Sequence, residues 1–296
     1  MKKDFDVNQG HGDHNDCLCE PGKSQEFLTT WIPKSISDGE LIGATANPVA
    51  CDFGKDMPNK MPILFLGDKK SPLRLEIMLA VNEKGKQNTL VSVYPEYDGT
   101  EVKVRLTAIH EWAAGVEATL EGEILGEAAR EIAFFDTRYA LNKGRYEVGN
   151  TYVFRLAAFA YTAVVLPEKD REFRFEGEKV VEHRKRCGQE QEYDENGNPK
   201  PVIFRIDEMV AYLPKWGPYP DDAEFQSPVF GEVALLSAFD SEFYKFNIAI
   251  AREGEDDVLI PMVARKSMFQ ELPKTNDPVR GVLWLQGYCP DVIAGA

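Results

Sequence analysis

The stretch YVFRLAAFAYTAVVL, residues 152–166, decides what kind of protein this sequence encodes. A membrane-spanning helix needs roughly 18 or more uninterrupted apolar residues. Here Arg155 breaks the run and PEKDREFRFEGE follows at once. Length and flanks specify a buried β-strand, and no other window comes closer to a span, so no membrane role is expected.

Strand patterning extends outward on both sides. Leu73, Leu75, Ile77, Leu79 and Val81 alternate with Arg74, Glu76, Met78 and Ala80, NEKGKQN turns, and TLVSVYP returns. Val102, Val104, Leu106 and Ala108 share one phase against Lys103, Arg105 and Thr107. Val116, Ala118, Leu120, Gly122 and Ile124 then alternate with Glu117, Thr119, Glu121 and Glu123. A period of two with polar outer positions predicts antiparallel strands that bury one face. Downstream, Tyr244, Phe246, Ile248 and Ile250 alternate, AREGEDD turns, VLIPMVA pairs back, RKSMFQELP reads as a short helix and PVRGVLWLQGY closes.

Between these blocks, QEYDENGNPKPV (191–202) is turn-rich, with Asn196-Gly197 as a hairpin signal. LPKWGPYPDD (213–222) is rich in proline and is expected to connect rather than to continue a sheet. Two segments match in phase: Gly149 to Tyr161 and Asn276 to Tyr288 have the same length, each preceded by a strand and a short link. That grammar resembles the second half of a small five-stranded Greek-key barrel of the OB type. The expectation is a mainly β protein with two antiparallel small-barrel (OB-like) or sandwich domains, related by internal duplication, behind an irregular N-terminal segment. Its boundaries fall at 1–70 for a polar, irregular lead-in, 71–190 for a first β domain, 191–222 for a connector and 223–296 for a second β domain. A single larger sandwich is the alternative.

Composition narrows the function classes. The 296 residues are 43% hydrophobic, which is a globular value, and carry a net charge of −15. Polyphosphate is repelled by such a surface, and the densest basic run, HRKRC at 183–187, has acidic neighbours, so nucleic-acid binding is not expected. The first residues, MKKDFDVNQG, lack the apolar core of a signal peptide. Five cysteines, an odd number without a framework, point to reduced thiols and a cytoplasmic setting. Acidic side chains gather in 220–260: Asp221, Asp222, Glu224, Glu232, Asp240, Glu242, Glu253, Glu255, Asp256 and Asp257. They suit a solvated face or a basic protein partner.

The sharpest chemical signal is HGDHNDCLCE at 11–20, which packs His11, His14, Cys17 and Cys19 into nine residues. These are zinc-ligand side chains, but the spacing H-x2-H-x2-C-x-C is too crowded for all four to surround one ion. A metal, zinc by donor type, would take two or three of them with a distant ligand, Cys51 being the nearest other thiol. Without metal the stretch is a polar tail. Elsewhere, His110 shares the inward phase of its strand and reads as a buried structural histidine, and Asp136 ends an apolar run as a turn or cap residue. His183 and Cys187 would share one helix face within an exposed basic turn. Asp194, Asn196 and Asn198 mimic a calcium loop, but Pro199 and Arg205 stand where it needs glycine and glutamate. Phosphate loops, dinucleotide fingerprints, a G-x-S-x-G elbow and H-E-x-x-H are absent from the sequence. The expected function is a non-catalytic, acidic, cytoplasmic binding protein that engages a protein partner through a barrel face or the 220–260 region. The alternative is a metal-dependent enzyme or a zinc-stabilised protein built on the N-terminal His/Cys cluster.

Overall fold

The computed structural model describes residues 11, 14–37, 41–45, 63–66, 72–81, 88–113, 115–215, 219–254 and 256–290. After a 3₁₀ turn at Asn15–Cys17 come helix α1 (Ser24–Ser37) and strands β1 (Leu41–Thr45), β2 (Ile63–Leu66), β3 (Leu73–Val81) and β4 (Asn88–Tyr97). Strands β5 (Thr100–Glu111), β6 (Ala118–Ile124) and β7 (Glu131–Asp136) follow, then helix α2 (Tyr139–Asn142) and β8 (Thr151–Val165). A small excursion holds β9 (Glu172–Phe175), helix α3 (Glu178–Arg186) and β10 (Val202–Arg205). The chain finishes with β11 (Ala211–Pro214), β12 (Asp222–Pro228), β13 (Phe230–Ala238), β14 (Ser241–Glu253), β15 (Asp256–Arg265) and β16 (Pro278–Tyr288).

The molecule is mainly β. Strands β1 to β4 form an antiparallel sheet in chain order, and β9 pairs with β10. The other ten strands form one mixed sheet in the order β11-β12-β16-β7-β6-β5-β8-β15-β14-β13, with a further pairing between β16 and β8. That extra pairing joins β5, β6, β7, β16 and β8 into a closed ring of neighbours. Two contacts are parallel, Met262 and Val263 on β15 with Ala158 and Phe159 on β8, and Gln286 and Gly287 on β16 with Phe135 and Asp136 on β7. The strand patterns therefore anticipated a β protein, while the pairing is mixed rather than wholly antiparallel.

Strand β8 lies at the junction. Its first half pairs with β5, and its length from Arg155 to Val165 pairs with β16. Both of its faces are covered, as are those of β7, β15 and β16. Phe134, Ala158, Met262 and Leu285 belong to one core, with Val104, Leu120 and Phe154. Their neighbours Phe135, Phe159, Val263 and Trp284 belong to a second core, closed by Leu18 and Phe27 of the N-terminal segment and Leu75, Ile77 and Tyr94 of the smaller sheet. Strands buried on two faces are near-continuously apolar, which is why residues 152–166 read as an apolar run with Arg155 its one charge. The β14–β15 hairpin turns at Gly254, whose φ of 59° lies in the left-handed region that glycine adopts without strain. Arg252 locks that hairpin with two bonds to Asp257, at 2.7 and 2.8 Å.

Several sequence expectations are corrected. The lead-in is not irregular throughout, since it contains α1, β1 and β2. The supposed connector supplies β11, whose Tyr212 is fully buried; Pro214 is tolerated there because β11 is an edge strand that ends on it. Glu117 and Thr119, expected to face outward on or beside β6, are buried, as is Glu76 on β3. In each case a cover far away in sequence, invisible to local periodicity, closes the second face.

Candidate functional site

The site forms where the N-terminal segment crosses the sheet. Asp221 immediately precedes β12, and its carbonyl accepts the backbone N–H of Leu285 at 3.0 Å, which fixes it beside β16. Its carboxylate is fully buried and hydrogen-bonded from two strands. Thr119 on β6 donates to Oδ1 at 2.9 Å, and the Trp284 indole on β16 donates to Oδ2 at 2.6 Å. Trp112 donates in turn to Thr119 at 3.1 Å. A buried charge needs this many partners to persist.

Both N-terminal histidines converge on that carboxylate. His11 Nε2 lies 3.2 Å from each carboxylate oxygen. His14 Nε2 lies 3.7 Å from Oδ2, 2.9 Å from His11 Nδ1 and 3.3 Å from His11 Nε2. An aromatic box holds the rings in place. His14 stacks on Trp284 at 4.1 Å and 6°, and its Nδ1 meets the Tyr161 hydroxyl of β8. His11 packs among Trp112, Phe135 and Tyr219. Asn15, fully buried, donates to the Val93 carbonyl of β4 at 2.9 Å and ties the segment to the smaller sheet as well.

The local field is set by burial and by these charges. Burial alone would raise Asp221, but the His11 charge and hydrogen bond outweigh it and hold the carboxyl at about 2. Burial, then His11, pushes His14 well below the usual histidine range, so its ring is neutral. Asp222 is raised to about 7, first by burial and then by the neighbouring Asp221 charge. Burial also raises Glu117, which takes the Ser92 hydroxyl as a partner.

His11 and His14 thus come together, and the member the sequence did not reveal is Asp221, 210 positions from His11. Among the described residues these three are the group of His, Cys and carboxylate side chains whose donor atoms all lie within 4.8 Å of one another. The two nearby thiols are turned elsewhere: Cys17 Sγ donates to the His14 carbonyl at 2.7 Å and Cys19 Sγ to the Asn15 carbonyl at 3.3 Å. Burial raises the Cys17 thiol well above its ordinary range, which favours the protonated form. Cys51 lies outside the described residues.

The other candidates are placed as follows. A β-bulge between Leu106 and Ala108 shifts the phase of β5, so Ile109 packs on the core while His110, part-exposed, bonds Glu121 at 2.8 Å. Asp136 is buried, and its Oδ1 accepts the Arg138 N–H at 2.9 Å, the turn role expected of it. His183 and Cys187 share a face at 3.7 Å, with the thiol exposed. Asp194 accepts the backbone N–H groups of Asn196 and Asn198, which makes a turn and leaves no calcium geometry. In the acidic 220–260 region Asp221 and Asp222 are interior, and Asp257 and Glu242 are paired with Arg252 and Lys266. No helix among the described residues is long and apolar enough to cross a membrane. No protein-family model, curated protein or solved structure matches the chain.

Proposed function

We propose that this is a non-catalytic binding protein that takes an extended, basic segment of a protein partner along strand β13. The observation that carries the reading is the open edge itself. Strand β13 ends the ten-stranded sheet and, among the described residues, pairs only with β14. Its sequence FGEVALLSA has one charged residue, Glu232, and Leu235 is 53% exposed. Edge strands are ordinarily blocked by lysine, proline or brevity, as the opposite edge is: β11 has four residues and ends at Pro214. Past the irregularity between Phe230 and Ala234, residues 234–238 of this edge offer main-chain pairing to an added strand. Glu232, exposed on β13 itself, supplies negative charge for a basic partner.

The sealing of His11, His14 and Asp221, with side chains 0%, 2% and 0% exposed, supports a structural rather than a catalytic use of that cluster. Cys17 and Cys187 carry free thiols, which suits a reduced, cytoplasmic setting. Two related OB-like halves also belong to this reading. Aligning Gly149 with Asn276 carries Ala158 onto Leu285, and these two residues are direct partners in the β8–β16 pair. The same alignment carries Phe135 onto Met262, and both take part in the two parallel contacts.

The test uses Leu235→Lys on β13 and Leu213→Lys on β11, each checked for folding. Partner retained on wild type and L213K but lost on L235K, with slowed amide exchange confined to β13, is the expected outcome. Equal retention by all three proteins sinks the edge assignment. No retained protein at low or high salt sinks the binding reading altogether.

A further inference from the structure

We propose that His11, His14 and Asp221 form a zinc site that ties the N-terminal segment to the sheet. This centre is independent of the β13 edge. The argument rests on spacing. Donors held about 2.0–2.2 Å from a tetrahedral ion lie roughly 3.3–3.6 Å from one another. His11 Nε2, His14 Nε2 and Asp221 Oδ2 form a triangle with sides of 3.2, 3.3 and 3.7 Å. As hydrogen bonds the 3.3 and 3.7 Å separations are poor. Charge-assisted N–H···O contacts run at about 2.7–2.9 Å, and 3.7 Å is no hydrogen bond at all. As ligand-to-ligand distances they are ordinary. The 3.2 Å from His11 Nε2 to Asp221 and the 2.9 Å between His14 Nε2 and His11 Nδ1 are spacings that a hydrogen bond would also explain.

The surroundings are those a metal centre requires. Ligating groups are oriented by partners on their far side. Trp284 donates to Asp221 Oδ2, leaving that oxygen a second lone pair for an ion, and Thr119 occupies Oδ1. The Tyr161 hydroxyl engages His14 Nδ1, so the tautomer with its proton on Nδ1 presents the Nε2 lone pair to the centre. Two imidazoles and one carboxylate suit zinc, and the carboxylate cancels half of its charge. Among the described residues no fourth His, Cys, Asp or Glu joins the three, and a water completes the shell in this assignment. With the ligand side chains sealed from solvent, the ion acts structurally: its binding free energy is folding free energy for the N-terminal segment.

The sequence pattern alone points to two or three of His11, His14, Cys17 and Cys19 with Cys51 as the distant ligand, and the geometry puts Asp221 beside the histidines instead. That difference makes the proposal testable. Protein stripped with a chelator and titrated calorimetrically with Zn²⁺ is expected to take up about one equivalent. Cys17→Ser and Cys19→Ser keep that stoichiometry. His14→Ala and Asp221→Asn lose it, with affinity down at least 100-fold, and Trp284→Phe weakens binding by roughly 10–100-fold as an outer partner should. Co²⁺ put in place of Zn²⁺ in the wild-type protein should give tetrahedral d–d bands with no sulfur-to-cobalt charge transfer. This reading does not depend on whether the ligand variants fold. Uptake below about a tenth of an equivalent overturns the proposal. So does a thiolate charge-transfer band, or unchanged binding in folded H14A or D221N.

Discussion

At the scale of the residue, Asp136 shows how burial turns a turn-forming carboxyl into a pH-dependent group. It closes β7 at 1% exposure, and burial raises it to about 7 against hydrogen bonds from Tyr146 and the Arg138 backbone that pull it down. A carboxyl whose folded pKa is raised binds its proton more tightly in the native state. Its stabilising contribution is therefore complete below about pH 4 and is lost as pH climbs through 7. At about 1.4 kcal/mol per unit, this amounts to a few kcal/mol across the window. Asp136→Asn, which keeps the Oδ1 acceptor, should flatten the fall in urea midpoint between pH 4 and 8; a midpoint profile parallel to wild type would refute this. Glu121 works the other way. The His110 hydrogen bond, aided by Lys215, holds it at about 2, so its contribution is full above about pH 4.5 and is lost as pH falls through 2. Glu121→Gln should weaken the protein near neutrality and soften its acid unfolding limb. Neither behaviour was legible in the sequence. Asp136 could be recognised as a turn residue from the run that precedes it, but its pKa depends on how completely the fold buries it. Asp221 is harder still, because its partners come from residues 11, 14, 119 and 284 and no local spacing joins them.

At the scale of the element, the β8–β16 pair depends on close backbone approach. A Cβ placed on Gly281 would lie 1.9 Å from the Thr162 carbonyl oxygen, beside the irregularity between Val282 and Leu283. Backbone cannot yield as a side chain tip can, so Gly281→Ala should cost at least about 2 kcal/mol. Thermal denaturation checks this, and an unchanged Tm would show that the strands can separate locally without penalty. Strand β16 was legible almost to the residue, since PVRGVLWLQGY spans Pro278–Tyr288. The β14–β15 hairpin was legible too, because charged turn residues separate two apolar runs. What failed was inference about the outward faces. Thr119 and Glu76 occupy polar positions in clean alternations, yet both are interior, because chain from other parts of the sequence lies over them. Alternation reports the first layer that a strand packs against and is silent about a second. The N-terminal helix was missed for a related reason: α1 docks Phe27 edge-on to Phe239, a tertiary contact that fixes a segment with little amphipathic pattern of its own.

At the scale of the whole molecule, strands from both halves of the sequence share one ring. Strand β16 pairs with β7 and β8, and β15 pairs with β8. Unfolding should therefore be a single transition, with calorimetric and van't Hoff enthalpies equal. Fragments 1–190 and 191–296 should each fail to fold alone and should recover native circular dichroism only when mixed. Two separate calorimetric peaks, or a native-like spectrum from either fragment, would show that the halves are autonomous. The same arrangement also has a consequence in time. Synthesis delivers His11 some 210 residues before Asp221. At about 5–20 residues per second, the two histidines wait roughly ten to forty seconds for the carboxylate they will meet. The segment around His11 and His14 can rest on β4 through Asn15 in the meantime, but its contact with Asp221 must wait. Closure of the histidines on Asp221 thus reports that β12 has been made.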